Sequence, residues 1–172
     1  MLEHIAVGAL DTPIGLLRIA CSERGVCRLV FPAEGAQAAL DRWLVSHMPE
    51  HKRSDTSGLL EQTCAELGAY FSGVRRDFTV PLDFRGRPFQ QRVWHALTAI
   101  QHGHTVTYGE LARTLAAPKA ARAVGAACGA NPVPVIAPCH RVLGSDGSLH
   151  GFGGGLPTKA WLLRHEGVLL DL

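Results

Sequence analysis

The sequence lacks a long apolar run, a paired-cysteine motif and any low-complexity tract. No stretch approaches the roughly 20 apolar residues that a membrane-spanning helix needs. The N-terminus lacks the basic region followed by an apolar run that marks an export signal. The five cysteines are odd in number and include no CxxC pair, so neither a disulfide framework nor a zinc ribbon is predicted. We therefore expect a soluble protein with no membrane partner, located in the reducing cytoplasm, or in the nucleus if the source is eukaryotic.

The composition is that of an ordinary globular protein, with an uneven distribution of charge. Of the 172 residues, 47% are apolar and 19% are charged. Residues 1–84 carry 8 Lys and Arg against 11 Asp and Glu, whereas residues 85–172 carry 9 against 4. The C-terminal half is therefore the basic half, which is a modest signal for a polyanionic partner.

Residues 1–84 are predicted to form a small α/β domain with an antiparallel sheet. Apolar segments between turn-forming residues predict three strands, over residues 3–10, 16–21 and 26–31. Pro13 and Gly15 lie in the first turn, where both residue types favour reversal of the chain. Strands joined by such short turns pair antiparallel.

Two amphipathic helices and a short strand complete this predicted domain. Apolar residues recur at helical spacing over residues 36–48 and 58–72. The charged segment between these helices, residues 48–55, is predicted to be an exposed loop. A strand is predicted over residues 77–82, and residues 85–88, RGRP, are predicted to link this domain to the next.

Residues 85–172 are predicted to form a mainly α-helical domain. Apolar spacing predicts a core helix over residues 90–100 and a last helix over residues 158–167. Residues 151–155, GFGGG, contain four glycines, which allow the backbone to approach a ligand closely. Neither glycine-based phosphate motif is present, so the sequence leaves that ligand open.

Two further helices of this domain are predicted to form a helix-turn-helix. Thr107 and Glu110 have the spacing of a capping box, which predicts a helix over residues 108–116. Pro118 is predicted at the first position of a second helix over residues 119–130. Two short helices around a tight turn are typical of a helix-turn-helix.

The second of these helices has few side chains that read base edges. Apart from Lys119 and Arg122, it carries only Ala, Gly, Val and Cys. So thin a helix suits the B-DNA minor groove, about 6 Å wide, with Arg122 as the one long side chain that enters the duplex. The alternative is that its small residues let it pack tightly against neighbours in a core.

Residues 131–142, NPVPVIAPCHRV, place a cysteine in a stiff segment. The three prolines exclude a helix or a central strand, so we predict an extended loop that presents Cys139. His140 and Arg141 flank the thiol, a setting that lowers the pKa of a cysteine and makes it a nucleophile. The alternative is that Cys139 is a small buried apolar residue, the usual state of a free cysteine.

Glu166 is a candidate partner for His140, which it follows by 26 residues near the end of the last predicted helix. From there the carboxylate can fold back and orient the imidazole as the third member of a Cys-His-acid relay. The alternative is a solvated carboxylate, since most glutamates at helix ends face water.

Taken together, the motifs resemble those of the O6-alkylguanine-DNA alkyltransferase family. The resemblance covers residues 90–167 closely, through FQQRVW, TYGELA, AARAVGAACGANP, PCHRV, GFGGG and LLRHEG, and extends to the turn DTPIG in the N-terminal half. It implies a ribonuclease-H-like α/β domain over residues 1–84. It also implies a helical domain over residues 85–172 with a helix-turn-helix that binds the minor groove.

The resemblance further implies a function in DNA repair by direct reversal of damage. A monomer acts once on double-stranded DNA, without a cofactor, and moves the alkyl group of O6-alkylguanine or O4-alkylthymine irreversibly to Cys139. His140 activates Cys139 through a water molecule, and Glu166 orients His140. Arg122 fills the space left by the flipped nucleotide, while Tyr108 helps to rotate that nucleotide and donates a proton to guanine.

Further family positions complete the implied site. Asn131 and Lys159 shape and polarise the pocket, and the backbone at Val142 and Gly153 binds the guanine edge. The remaining pocket positions are Pro134, Phe152 and Gly154, and the remaining DNA contacts are Gln90, Gly109 and Ser145.

The sequence departs from the family pattern at the glycine-rich loop. Phe152 stands where the family usually has tyrosine, and Gly154 stands where some bacterial members carry tryptophan. Together with Pro134 and Gly153, these residues predict a roomy pocket that accepts larger O6-alkyl groups.

A metal and three other functions are the remaining alternatives. Some relatives hold a structural zinc, but His4, Cys21 and Cys27 are at most a partial ligand set, so we predict no metal. A non-catalytic lesion-binding protein is the nearest alternative, and the presence of Cys139 argues against it. A Cys-His hydrolase would regenerate its cysteine, and a helix-turn-helix transcription factor would need base-reading side chains.

Overall fold

A computed structural model of the chain describes residues 1–168 and 170. Residues 1–85 form one compact unit and the residues from 86 onward form a second. The first unit is α/β and the second is mainly helical, so the predicted fold class is confirmed. None of the helices in the described residues is long and apolar enough to cross a membrane.

The first unit is built on a four-stranded mixed sheet in the order β3-β2-β1-β4. Its strands are β1 (Glu3–Thr12), β2 (Gly15–Cys21), β3 (Val26–Val30) and β4 (His51–Ser54). The three predicted strands pair antiparallel, as expected, but β4 pairs parallel with β1. The prediction of a loop over residues 48–55 is wrong at residues 51–54. An edge strand with mostly exposed polar side chains carries no apolar alternation by which the sequence would reveal it.

The prediction of a strand over residues 77–82 is wrong. Only one isolated bridge forms there, between Val26 and Leu82. The amide of Val26 donates to the Pro81 carbonyl, and the amide of Asp83 donates to the Val26 carbonyl. Since Pro81 has no N–H of its own, the ladder does not extend along this segment.

Two helices cover the sheet, α1 (Ala36–His47) and α2 (Gly58–Phe71). Helix α1 buries Leu40 and Leu44 in a core with Ile5 of β1. Helix α2 lies close to β1, since a Cβ atom on Gly8 would stand 3.0 Å from a methyl carbon of Leu60. These helices follow the predicted ranges because buried apolar residues recur at helical spacing in both.

In its described residues, the second unit contains four α-helices and a two-stranded parallel sheet. The helices are α3 (Pro88–Leu97), α4 (Tyr108–Thr114), α5 (Ala121–Gly129) and α6 (Leu156–His165), and the strands are β5 (Val106–Thr107) and β6 (Val142–Leu143). Strands β5 and β6 pair directly. This pairing ties the segment after Cys139 to the start of α4.

Helices α4 and α5 are the two helices of the predicted helix-turn-helix. The predicted capping box is confirmed, since the Glu110 amide donates to Thr107 Oγ1 and the Thr107 amide donates to a Glu110 carboxylate oxygen, both at 3.1 Å. The prediction for Pro118 is wrong. Helix α5 begins only at Ala121, because Pro118 lies in a turn closed by the amide of Ala120 and the carbonyl of Ala117.

Candidate active site

The segment before Cys139 is a compact buried turn, so the prediction of an extended loop is wrong. Every residue from 131 to 138 is buried. The Asn131 side chain closes the turn, because its Nδ2 donates to the Ala137 carbonyl at 2.8 Å and its Oδ1 accepts from the Val133 amide at 3.0 Å. Val135 has a φ of 73°, a left-handed conformation that bends the chain back between these two contacts.

Cys139 opens a short 3-10 helix, Cys139–Arg141, and its side chain is buried. Burial raises the pKa of this thiol, while a hydrogen bond from Asn131 and the charge of Lys159 lower it by less. The expectation that the neighbours of Cys139 lower its pKa below the ordinary value is therefore wrong. The resting state holds a thiol, and its proton must leave before sulfur can act as a nucleophile.

His140 and Arg141 both bind Glu166, which the last turn of α6 carries into the interior. His140 Nε2 lies 2.7 Å from Glu166 Oε1, and both side chains are fully buried. Arg141 donates from Nε to Oε2 at 2.8 Å and from Nη2 to Oε1 at 2.9 Å. A third hydrogen bond joins Arg141 to the carbonyl of Ile100. Glu166 is thus a buried carboxylate shared by two neighbours in sequence.

These contacts fix the protonation states of the pair. Burial raises the pKa of Glu166, but hydrogen bonds from His140 and Arg141, the charge of His140 when it is protonated and the charge of Arg141 hold that pKa well below its ordinary value. Burial lowers the pKa of His140. Neutral His140 therefore carries its proton on Nε2, which donates to Glu166, and leaves a lone pair on Nδ1. Among the described residues, Nδ1 has no hydrogen-bond partner. The arrangement can accept one proton at Nδ1.

Lys159 is a second buried cation, only 1% exposed, beside the same segment. Its Nζ donates to the carbonyl of Val142 at 2.7 Å and to that of His150 at 3.2 Å. Burial lowers its pKa. The Nζ also lies 5.9 Å from the centre of the Tyr108 ring. Lys159 therefore joins β6, the loop that follows it and the first residue of α4.

Tyr108 is half-buried at the start of α4. Burial, together with the nearby thiols of Cys128 and Cys139, raises its pKa to about 12. Its hydroxyl is therefore protonated at neutral pH and can donate. Cys128 of α5 belongs to the same cluster, since burial and Cys139 raise its pKa to about 12. The sequence analysis missed Cys128, although its position on the buried side of α5 could have been found from helical spacing.

Helix α5 presents small residues to solvent. Ala123, Ala126 and Gly129 are exposed, whereas Val124, Ala127 and Cys128 are buried. The buried side of α5 agrees with the alternative of core packing, while contact of its exposed side with a minor groove stays a prediction. Trp94 Nε1 donates to the Ala127 carbonyl at 2.8 Å and fixes the buried side to α3.

The one long side chain on the exposed side of α5 is Arg122. It is exposed and makes no hydrogen bond or ion pair with any residue that the structure describes. An uncompensated guanidinium next to a row of small residues is free to contact a polyanion.

The other predicted site residues fall into three groups. Pro134 and Val142 are buried; Gly109, Phe152 and Gly154 are partly buried; Ser145 and Gly153 are exposed. The side-chain oxygen of Gln90 accepts from the Arg87 amide and so caps α3. The Val142 amide donates to the Cys139 carbonyl, and its carbonyl accepts from Lys159, so most of its backbone capacity is used internally. A Cβ atom on Gly153 would meet nothing within 4 Å.

The described residues contain no group of three or more His, Cys, Asp or Glu side chains that could hold a metal ion. Of the three candidate zinc ligands, His4 is exposed. Cys21 Sγ lies 3.8 Å from Thr63 Oγ1, and Cys27 Sγ donates to the Ala20 carbonyl at 3.3 Å.

Both units match known protein families. Residues 5–84 match the family described as 6-O-methylguanine DNA methyltransferase, ribonuclease-like domain. Residues 88–168 match 6-O-methylguanine DNA methyltransferase, DNA binding domain.

Named relatives and solved structures agree with these matches. The methylated-DNA–protein-cysteine methyltransferase of Mycolicibacterium paratuberculosis is 43% identical, and the match covers 100% of this chain and 99% of that relative. The crystal structure of Mycobacterium tuberculosis O6-methylguanine methyltransferase superposes with a TM-score of 0.79 at 40% identity, covering 94% of this chain and 92% of that one. M. tuberculosis OGT in complex with DNA gives a TM-score of 0.77 at 39% identity, covering 95% and 92%.

Proposed function

Because this chain belongs to the 6-O-methylguanine DNA methyltransferase family, we propose that it is a methylated-DNA–protein-cysteine methyltransferase that repairs O6-alkylguanine in DNA. The observation that carries the proposal is the arrangement of three side chains. Cys139 is a buried thiol, the next residue is the neutral His140, and Nε2 of His140 is hydrogen-bonded to the ionised carboxylate of Glu166. This arrangement activates a nucleophile without a cofactor.

The transfer needs a proton to leave the thiol and another to reach the base. Nδ1 of His140 takes the proton of Cys139 through a bridging water molecule, and the developing imidazolium is stabilised by Glu166. Sulfur attacks the alkyl carbon, the bond between that carbon and O6 breaks, and the electron pair goes to guanine. Tyr108, protonated at neutral pH, donates a proton to the guanine ring. The product is a thioether that water does not cleave, so each molecule acts once.

The alkyl carbon has to leave the base stack before it can meet the buried thiol. Flipping a nucleotide out of a duplex costs a few kcal/mol, and a damaged base lowers that cost. The exposed small residues of α5 suit close contact with a minor groove about 6 Å wide. Arg122, exposed and free of partners among the described residues, enters the duplex in place of the flipped nucleotide. Gln90, Gly109 and Ser145 contact the DNA around it.

The pocket for the alkylated base is formed by the turn before Cys139 and the glycine-rich loop. Pro134 and Phe152 supply apolar walls, while Gly153 and Gly154 leave room for groups larger than methyl. Asn131 and Lys159 hold the pocket in shape through their hydrogen bonds to backbone carbonyls. O4-alkylthymine is a second substrate of the same pocket. The protein acts as a monomer in the cytoplasm, or in the nucleus of a eukaryote.

The proposed function is tested with a duplex that contains a single O6-methylguanine. The protein is mixed with the duplex at molar ratios of protein to lesion below and above one, and the amount of restored guanine is measured. The expected result is one repaired base per protein molecule and none with Cys139→Ser. Lesion-selective binding without repair by the unmodified protein would instead identify a non-catalytic lesion-binding protein.

A further inference from the structure

Arg141 is a buried charged residue that the proposed reaction does not use. Its side chain is 6% exposed and makes two hydrogen bonds with the carboxylate of Glu166 and one with the carbonyl of Ile100. A planar guanidinium in such a two-point contact is held in one orientation. Glu166 is therefore bound from two sides of its carboxylate, by Arg141 and by His140.

The three side chains share a charge balance. A buried carboxylate requires a compensating positive charge close by, because an unpaired buried ion is strongly unfavourable. Arg141 and His140 both contact Glu166 and can supply that charge, the guanidinium permanently and the imidazole in its protonated form. An imidazolium at His140 could not accept the proton of Cys139.

We propose that Arg141 is a positioning residue that keeps His140 uncharged, and so able to act as a base, by supplying the positive charge that Glu166 requires. This inference rests on the proposed function, in which Nδ1 of His140 receives the thiol proton. Arg141 touches neither substrate nor sulfur in this scheme. It acts through Glu166 alone.

The charged groups that face His140 support this role. Burial is the largest influence and lowers the pKa of His140; Glu166 at the end of α6 raises it; Arg141 and Lys159 lower it. Without Arg141, one of the groups that oppose the effect of Glu166 on the pKa of His140 is lost. The imidazole would then become the charge partner of the carboxylate, and its pKa would rise.

The expected kinetic effect follows from the fraction of His140 that remains neutral. In the unmodified protein, a lowered pKa keeps His140 neutral at neutral pH. If removal of Arg141 raises that pKa to one unit above the assay pH, only about one tenth of His140 remains a base, and transfer slows about tenfold. The loss should be recovered as the pH is raised. A purely structural role for Arg141 would slow transfer equally at every pH.

The test compares four variants by two measurements. One is the protonation state of His140 in the absence of DNA, and the other is the rate of single-turnover repair. Arg141→Met removes the charge, and Arg141→Lys keeps it. The double variant Arg141→Met/Glu166→Gln removes both charges. Arg164→Met is the matched control, because Arg164 is an exposed arginine of the same unit whose side chain makes no hydrogen bond or ion pair with the described residues. The protonation state of His140 is followed by NMR of its ring nitrogens between pH 5 and 9.

The expected result is a protonated His140 near pH 7 in Arg141→Met, with pH-dependent transfer. Arg141→Lys, the double variant and Arg164→Met should keep a neutral imidazole. A neutral His140 in folded Arg141→Met would overturn the inference. That result is expected if Glu166, and not His140, takes up the proton. If Arg141→Met does not fold, a protonated His140 in the double variant would overturn it equally. The NMR titration needs no DNA, so its result does not depend on repair activity. Failure of the unmodified protein to repair the duplex would therefore count against the proposed function, and not against the role of Arg141 in the charge of His140.

Discussion

Replacement of Glu166 by glutamine tests how much the buried network contributes to stability. The change keeps the size and shape of the side chain but removes its charge. The carboxylate accepts a hydrogen bond from His140 and two from Arg141, between 2.7 and 2.9 Å, and a longer one from the Gly103 amide at 3.5 Å. After the substitution, Arg141 is a buried cation without a counter-charge.

The magnitude follows from the burial of this pair. Removing one partner of a buried ion pair destabilises a protein by about 3–5 kcal/mol. Whole domains are stable by only about 5–15 kcal/mol, so Glu166→Gln should remove a large fraction of the total. The matched control is Asp41→Asn, which breaks a surface pair between Asp41 and Arg53, both substantially exposed. Surface pairs contribute about 0–1 kcal/mol.

Urea unfolding of the unmodified protein, Glu166→Gln and Asp41→Asn measures the free energy that each substitution removes. An unchanged slope of unfolding free energy against urea concentration would show that only stability has altered.

The pH dependence of stability provides a second test. Because the pKa of Glu166 is lowered in the folded state, its contribution is fully present above the unfolded pKa, about 4.3, and is lost as the pH falls through the lower folded value. The gap between the unmodified protein and Glu166→Gln should therefore be constant from pH 7 to 5 and narrow below about pH 4. A loss no larger than that of Asp41→Asn at pH 7 would refute the reasoning.

Three further predictions concern α5 and the pocket. Trp94→Phe should lower the free energy of unfolding by about 0.5–1.5 kcal/mol, because it removes the buried indole hydrogen bond to the Ala127 carbonyl, which keeps the one from the Ala130 amide. An unchanged urea midpoint would contradict this. Ala126→Asp should weaken binding to duplex DNA at least about tenfold, since a carboxylate on the exposed side of α5 repels phosphates. The free energy of unfolding of Ala126→Asp should stay within about 0.5 kcal/mol of that of the unmodified protein. If fluorescence anisotropy gives the two proteins equal affinity for the duplex, the exposed side of α5 is not part of the DNA interface. O6-benzylguanine should block Cys139, as seen by loss of later methyl transfer, because Gly153 borders open space; full retention of methyl transfer after incubation would show that the pocket is narrow.

Most of the helices could be predicted from the sequence because local patterns define them. The capping box at Thr107 and Glu110 needs only residues three apart, and the apolar spacing of α1 and α2 needs only one helix face. Strand β4 could not be found in this way, since its mostly exposed polar residues carry no alternation and its pairing with β1 depends on a segment about 48 residues away.

The contact between His140 and Glu166 could be predicted from the sequence, whereas the geometry around Cys139 could not. Prolines restrict φ, yet the path of residues 131–138 is decided by the hydrogen bonds of Asn131 across the turn. The sequence neighbours of Cys139 suggested a lowered pKa, whereas burial reverses the direction. Arg141 looked like a cation beside the thiol, but its partner Glu166 lies 25 residues away, just after α6. Burial and pairing over such distances are properties of the folded chain.

The central claim is that Cys139, and none of the other four cysteines, accepts the alkyl group. The most direct test is peptide mass spectrometry of the protein after reaction with a duplex that contains one O6-methylguanine. The account predicts a single gain of about 14 Da, a methyl group in place of a proton, on the peptide that contains Cys139, and no gain in Cys139→Ala. A methyl group on Cys128 or on any other cysteine, or an unmodified protein that still binds the lesion, would contradict the account.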